Sequence, residues 1–153
     1  MSTFGDSTPA SGTPRTFIVF LSATIVSFLA VFVTWRSVSI TGSITTSASF
    51  SGISCWEGKM VILLSIISGV SAVVALQRDD RSFRLASLWC SLAMAGVAVI
   101  AVFDVFGSTT NSVSAGGMTL HASESIGFGL VLTVIASIVA ATFAARRVNN
   151  PQD

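Results

Sequence analysis

Residues 17–35 form an uninterrupted apolar stretch, FIVFLSATIVSFLAVFVTW, without a charged side chain. As a helix with a rise of about 1.5 Å per residue, these roughly 19 residues nearly match a hydrocarbon layer about 30 Å thick. The stretch is too long for the apolar region of a secretory signal peptide, and it ends in Thr34-Trp35-Arg36 without a small-residue cleavage site. We therefore interpret it as an uncleaved transmembrane helix.

Three further apolar stretches follow the first. They cover residues 60–76, 85–106 and 126–145, and Asp104 is the only ionisable residue within them. These segments are apolar around the whole circumference, and a chain of 153 residues is too small to bury four such helices without lipid. The fold class predicted is an all-α integral membrane protein, a four-helix transmembrane bundle.

The composition excludes other classes of protein. Charged residues make up 10% of the chain, against about 25% in a soluble domain. The formal net charge of +1 does not provide the basic face that a nucleic-acid partner requires. Hydrophobic residues at 52% are incompatible with intrinsic disorder of the whole chain. Membrane lipid is thus an expected partner, and nucleic acid is not.

The basic residues predict the orientation of the bundle, because Arg and Lys near helix ends favour the cytoplasmic side. Six of the 8 basic residues belong to one side of the predicted topology: Arg15, Arg78, Arg81, Arg84, Arg146 and Arg147. Both termini are therefore expected in the cytoplasm, with a disordered leader over 1–16, a membrane domain over 17–147 and a tail over 148–153. Residues 36–59 and 107–125 become external loops, with Trp35 and Trp56 at the outer membrane interface.

Small residues four positions apart favour close helix packing in a membrane. Every predicted helix has such a face: Ala23 and Ser27; Ser65, Ser68, Gly69 and Ala72; Ser87, Ser91 and Ala95; Ala136, Ala140 and Ala144. We expect a compact intramolecular bundle. A homo-oligomer that uses one spare face, that of the fourth helix, is an additional possibility.

The external loops show the period of two that is typical of half-buried strands. Val38 and Ile40 alternate with Ser and Thr, as do Ala48 and Phe50, and Gly42-Ser43 suits a two-residue turn. Met118 and Leu120 predict a third short strand. We expect a small extracellular β hairpin, or cap, although the Ser and Thr content also fits a flexible loop.

Asp104 is the leading candidate for a special role, because a charge inside a membrane span is costly. It lies in the last turn of the third helix, where Arg36, Lys59 or the indole of Trp35 or Trp56 can satisfy it. We interpret it as an anchor that ties this helix to the cap, with ligand or ion binding and proton coupling as alternatives.

The remaining polar residues give no catalytic or metal-binding pattern. His121 and Glu124 are three positions apart, but one His and carboxylates from separate segments do not form a ligand-spacing motif. Cys55 is in the first external loop and Cys90 is in the third predicted helix. They are too far apart for an intramolecular disulfide, so both are expected to be free. We find no nucleophile elbow, zinc helix, phosphate loop or dinucleotide fingerprint. We therefore predict no enzyme activity and no cofactor or metal.

Five short elements together resemble a known group of proteins. They are Trp35, the loop Gly52-Ile53-Ser54-Cys55-Trp56-Glu57-Gly58, the inner loop with its arginines, Phe103-Asp104 and Gly127-Phe128-Gly129. The arrangement resembles the small, mostly uncharacterised four-span membrane proteins of actinobacteria, in which Gly and Tyr are commoner at the positions of Cys55 and Phe103. This resemblance implies a bacterial plasma membrane and no established activity. A more distant likeness to the claudin-like four-span fold implies only a β-sheet above the bundle.

The function expected from these observations is that of a non-enzymatic accessory or scaffold subunit. It would bind another membrane protein, or a second copy, through its external cap and small-residue helix faces. The interaction candidates are Trp35, Arg36, Trp56, Glu57, Lys59, Asp104, His121 and Glu124. A self-assembling pore, including a holin-like protein, is the alternative, since holins are also short and multi-spanning.

Overall fold

The structure is a computed structural model that describes residues 15–41, 45–78, 80–107, 111–115 and 118–149. Side chains are described over the same ranges except between residues 111 and 121. The predictions for the leader up to residue 14, for the Gly42-Ser43 turn and for the tail from residue 150 lie outside the described residues.

The described residues form four helices and four strands. In order they are α1 (Arg15–Ala30), β1 (Thr34–Thr41), β2 (Thr46–Ser51), α2 (Trp56–Arg78), α3 (Arg81–Gly107), β3 (Asn111–Ala115), β4 (Met118–Ile126) and α4 (Phe128–Asn149). A short 3₁₀ turn, Gly52–Ser54, joins β2 to α2. The helices α2, α3 and α4 are long and apolar enough to cross a membrane, whereas α1 is a shorter apolar helix of 16 residues.

The end predicted for the first helix was wrong. The helix ends at Ala30, and Trp35 lies in β1. The N–H groups of Val31, Phe32 and Val33 bond to carbonyls three residues earlier, so the chain tightens before the strand begins. The apolar run continues through this change, which is why hydropathy alone did not reveal it.

The other predicted boundaries were too short or slightly displaced. The helix predicted over 60–76 covers Trp56–Arg78, and that predicted over 85–106 covers Arg81–Gly107. The last helix, predicted over 126–145, covers Phe128–Asn149. Charged residues such as Lys59 and Arg81 continue the helices beyond their apolar stretches. The leader and tail boundaries also shift, because α1 begins at Arg15 and α4 ends at Asn149.

The strands form one antiparallel sheet in the order β2-β1-β4-β3. The predicted hairpin is confirmed as β1 and β2, with Val38 opposite Ala48. The expected third strand is part of β4, which pairs with β1 and places Val38 opposite Glu124. The fourth strand, β3, was not predicted because only five residues form it.

The sheet stands on one end of the helix bundle. Chain order places the bundle-side ends of β1 and β4 next to α1 and α4, respectively. Along β1, burial falls from the fully buried Trp35 to the exposed Thr41. The strands therefore run away from the bundle. We refer to this end as the sheet end, and to the end where α2 meets α3 as the opposite end.

Small residues fill the interior of the bundle. α1 packs closely on α4, α4 on α3 and α3 on α2, while α1 and α2 contact each other less. Ser68 and Ser91 share a buried hydrogen bond of 3.0 Å between α2 and α3. The predicted compact packing through small faces is confirmed. The face of Ala136, Ala140 and Ala144 is buried within this chain, so the expectation that it is a spare oligomer surface was wrong.

Candidate functional site at the junction of sheet and bundle

Arg36 connects three elements where the sheet meets the bundle. It lies near the start of β1, and its side chain reaches Glu57 in the first turn of α2 and Asp104 in the last turn of α3. Its Nη2 atom donates to Asp104 Oδ2 at 2.6 Å and to Glu57 Oε1 at 3.4 Å. Of the partners predicted for Asp104, Arg36 thus forms a direct ion pair with it. The contact joins β1, α2 and α3.

The two carboxylates of this cluster differ in exposure. The Glu57 side chain is 5% exposed, whereas that of Asp104 is 58% exposed. Burial lowers the pKa of Arg36, but its hydrogen bond and charge interaction with Asp104 outweigh that effect, so the pKa is raised overall. Arg36 therefore remains charged throughout the neutral range. Its Nε atom is buried without a hydrogen-bond partner among the described residues.

Trp35 is fully buried beside this cluster. Its indole Nε1 donates to the carbonyl of Ala30 at 3.0 Å, and its own carbonyl accepts from the N–H of Gly127 at 2.7 Å. The side chain thus caps the end of α1, while the backbone connects β1 to the start of α4. Trp35 was predicted at the outer membrane interface, and the structure shows that its ring is fully buried within the protein. The preceding turn directs its ring inward.

The glycines of the loop before α2 make room for this indole. A Cβ atom on Gly52 would lie 2.6 Å from Cδ2 of Trp35, well inside van der Waals contact. A Cβ atom on Gly58 would overlap the carbonyl of Gly52. The chain therefore packs in two layers here, with Gly52 of the 3₁₀ turn on Trp35 and Gly58 of α2 on Gly52. The spacing of Gly, Trp and Gly in this loop is explained by close packing.

A second pair of glycines fits the start of α4 against the chain after α1. A Cβ atom on Gly127 would overlap the carbonyl of Thr34, and one on Gly129 would lie 2.7 Å from the carbonyl of Ala30. From the sequence alone, these glycines were identified only as part of the family resemblance. Their position at the start of the last apolar stretch was the available signal that a backbone approaches closely there.

Trp56, Lys59 and Glu124 lie outside the ion pairs that Arg36 forms with Glu57 and Asp104. Trp56 is 59% exposed and Lys59 is exposed, both in the first turn of α2. Glu124 is partly buried on β4. The backbone of His121 lies opposite Thr41 of β1 and Ser112 of β3, and its side chain lies outside the described part of the structure.

The described side chains contain no group of three or more His, Cys, Asp or Glu residues that could hold a metal ion. Cys55 and Cys90 are both free thiols. The contacts of Arg36 and Trp35 join the sheet to the helices. No family model matches the chain, and no curated protein matches it significantly.

Proposed function

We propose that this protein is a non-enzymatic, four-span accessory or scaffold subunit of the bacterial plasma membrane, whose sheet docks a partner membrane protein. The observation that carries the proposal is the edge strand β2 of a sheet that hydrogen bonds and ion pairs join to the bundle.

A fourth span is supported by the length of α1 together with the turn that follows it. The 16 residues of α1 rise about 24 Å at 1.5 Å per residue. The turn over Val31, Phe32 and Val33 has 3₁₀-type bonds and adds roughly 6 Å at about 2 Å per residue. The sum approaches the hydrocarbon thickness of about 30 Å. Phe32 and Val33 are also exposed, as expected of lipid-facing residues.

A cytoplasmic location of the opposite end is supported by its charge. The helix ends there carry Arg15, Arg78, Arg81, Arg84, Arg146 and Arg147. Two of them also stack on aromatic rings, since the Arg147 guanidinium lies 4.8 Å from the centre of the Phe17 ring and that of Arg146 lies 5.2 Å from the centre of the Phe143 ring. The excess of arginine favours this end as the inner one, which makes the sheet external.

β2 supports docking because it is an edge strand that, among the described strands, pairs with β1 alone. Its sequence TSASFS has neither charge nor Pro, and residues 46–50 are exposed. Proteins usually protect such edges with Lys, Pro or a bulge, because free backbone N–H and C=O groups pair readily with another chain. An extended segment of a partner protein would satisfy these groups by strand addition.

The direction of the strands favours a different protein over a second copy at this edge. Two copies in one membrane are related by an axis along the membrane normal. Antiparallel pairing of β2 with its own copy requires an axis across the strands, and because the strands run away from the bundle, that axis would invert one copy. A partner of different sequence has no such constraint.

The test is co-purification of the tagged full-length chain from its native membrane in mild detergent. We expect a partner membrane protein in stoichiometric amount, and we expect Ser47→Lys with Ser49→Lys to remove it by charging the edge. Thr41→Lys is the matched control, because it adds a charge to the same sheet face on the inner strand β1.

Equal partner yield from the edge variant and the control would contradict docking at β2. Dye leakage from vesicles that contain the purified wild-type protein, together with growth arrest on modest expression, would instead favour the self-assembling pore.

A further inference from the structure

A groove runs between α1 and α2, which contact each other less than the pairs α1–α4, α3–α4 and α2–α3 do. It has a volume of about 310 Å³ and is lined by four residues from each helix, among them Leu21, Thr24 and Phe28 of α1 and Ser65, Gly69 and Val70 of α2. Ser65–Val70 is the middle of the 23-residue α2, which is long enough to cross a membrane. The groove therefore opens to the hydrocarbon layer.

The polar side chains that line the groove are already hydrogen-bonded within the protein. Thr24 and Ser65 carry the groove's two hydroxyl groups, and each donates to a carbonyl of its own helix: Thr24 to Phe20 at 3.0 Å and Ser65 to Val61 at 2.7 Å. The remaining lining residues are Gly69 and five residues with apolar side chains. An apolar ligand thus fits the groove without leaving a hydrogen bond unmade.

The size of the groove favours a hydrocarbon chain over a helix. An apolar cavity of about 150 Å³ in another protein accommodates benzene, so this groove has space for roughly a dozen carbon atoms. One turn of helix, with a diameter of about 10 Å and a pitch of 5.4 Å, fills roughly 420 Å³. A transmembrane helix could enter only if α1 and α2 separated.

Lys59 supplies a charge at the depth where a lipid phosphate lies. It is on the same helical face as Ile62, Ile66 and Gly69, which follow it at steps of three and four residues. Gly69 is ten residues, or about 15 Å, further along α2, which is the depth of one leaflet. Lys59 is exposed and forms no ion pair with any residue that the structure describes.

We propose that the α1–α2 groove binds one acyl chain of a phospholipid from the leaflet at the sheet end, with the lipid phosphate at the Lys59 ammonium. This bound lipid fills the loosest seam of the bundle and couples α1 to α2. The inference is independent of the partner protein proposed for β2.

Gly69→Leu is the direct test, because a Cβ atom at Gly69 meets nothing within 4 Å and the larger side chain extends into open space. Gly96→Leu in α3 is the matched control, since a Cβ atom there also meets nothing within 4 Å. The probe is phosphatidylglycerol spin-labelled in the middle of one acyl chain, in nanodiscs that contain the full-length protein. Circular dichroism and thermal melting establish that each variant is folded.

We expect an immobilised component in the spin-label spectrum of the wild type and of Gly96→Leu, and its loss in Gly69→Leu. Lys59→Gln should weaken binding of the labelled lipid about fivefold, the effect of one lysine near an anionic surface. An equal immobilised component in wild type and Gly69→Leu would overturn the groove as the site, and an unchanged affinity in Lys59→Gln would overturn the phosphate contact. If no immobilised lipid is found while Gly69→Leu releases a co-purified single-span protein, the occupant is a helix and the proposal is wrong.

Discussion

The guanidinium of Arg36 in β1 donates to the carboxylate of Asp104 in α3 across 2.6 Å, although 68 positions separate the two residues in sequence. The same nitrogen lies 3.4 Å from Glu57 of α2. Water solvates Asp104, whose side chain is 58% exposed, but has little access to Glu57 at 5%. Removing Arg36 therefore leaves one carboxylate buried without this ion-pair partner, which costs more than losing an exposed pair.

This difference predicts an order of stability among three variants. Asp104→Asn should lower the free energy of unfolding by about 0.5 kcal/mol, the value for an exposed pair. Arg36→Met should lower it by about 2 kcal/mol, because Glu57 loses that partner in a buried position. The measurement is unfolding of detergent-solubilised protein by heat and by SDS. Because the pKa of Arg36 is raised, the loss should not vary with pH across the neutral range.

Lys59→Gln is the control for this series, because it removes an exposed positive charge at the same end of the bundle without breaking an ion pair among the described residues. Its stability in lipid-free detergent should equal that of the wild type. A melting temperature of Asp104→Asn indistinguishable from the wild type would count against the anchoring role of this residue.

Replacing a glycine by alanine should raise the free energy of unfolding in α3 and lower it in α2. Gly→Ala within a helix normally stabilises by about 0.5–1 kcal/mol. Gly96→Ala in α3 should do so, since its Cβ atom would meet nothing within 4 Å. Gly58→Ala in α2 should instead destabilise by about 1–3 kcal/mol, because its Cβ atom would overlap the backbone of Gly52. Equilibrium unfolding in SDS measures both, and stabilisation by Gly58→Ala would refute the two-layer packing of this loop.

Hydropathy and the alternation of apolar and polar residues predicted the helices and strands in which the pattern extends over many residues. The three long apolar helices were predicted because each stretch far exceeds a soluble helix face in apolar content, and β1 and β2 because Val38 and Ile40 alternate with hydroxyl residues. The end of α1 was not predicted. Val31, Phe32 and Val33 have the same hydropathy in a helix as in a turn. The carbonyls of Ala30 and Val31 bond to the Trp35 indole and to the N–H of Ile53, and hydropathy does not reveal these contacts.

The junction was predictable only in part for a similar reason. Arg36 was identified as one partner for Asp104 because a charge at a helix end requires one. The burial of Trp35 depends on Gly52 and Gly127, which are distant in sequence and approach it only in the folded chain. A single sequence contains the glycines but not the contacts that require them.

The hydrogen bond between Ser68 and Ser91 predicts a modest contribution to helix packing. Ser68→Ala removes the 3.0 Å contact across the α2–α3 seam and should cost about 0.6 kcal/mol, the mean for such bonds in membrane proteins. Ser22→Ala is the control, because the Ser22 hydroxyl is exposed and donates within its own helix to the carbonyl of Ile18. SDS unfolding compares the two. An equal effect of both substitutions would mean that the interhelical bond contributes nothing.

Burial predicts distinct spectroscopic behaviour for the three tryptophans. Trp35 is fully buried, whereas Trp56 and Trp89 are 59% and 69% exposed. In Trp56→Phe/Trp89→Phe, the remaining emission from Trp35 should resist both acrylamide in the water and bromine-labelled lipid in the bilayer. In Trp35→Phe, the emission from the other two residues should be quenched by at least one of these agents.

Trp35→Phe and Trp56→Phe should also differ in their effect on the free energy of unfolding. Trp35→Phe removes the bond to the carbonyl of Ala30 and leaves a cavity above Gly52, so it should destabilise by about 2 kcal/mol or more. Trp56→Phe should change the free energy of unfolding by less than about 0.5 kcal/mol, as exposed substitutions usually do. If Trp35 emission is quenched as readily as that of Trp56, the indole is not enclosed between α1 and Gly52, and the sheet lacks the attachment that holds β2 in position.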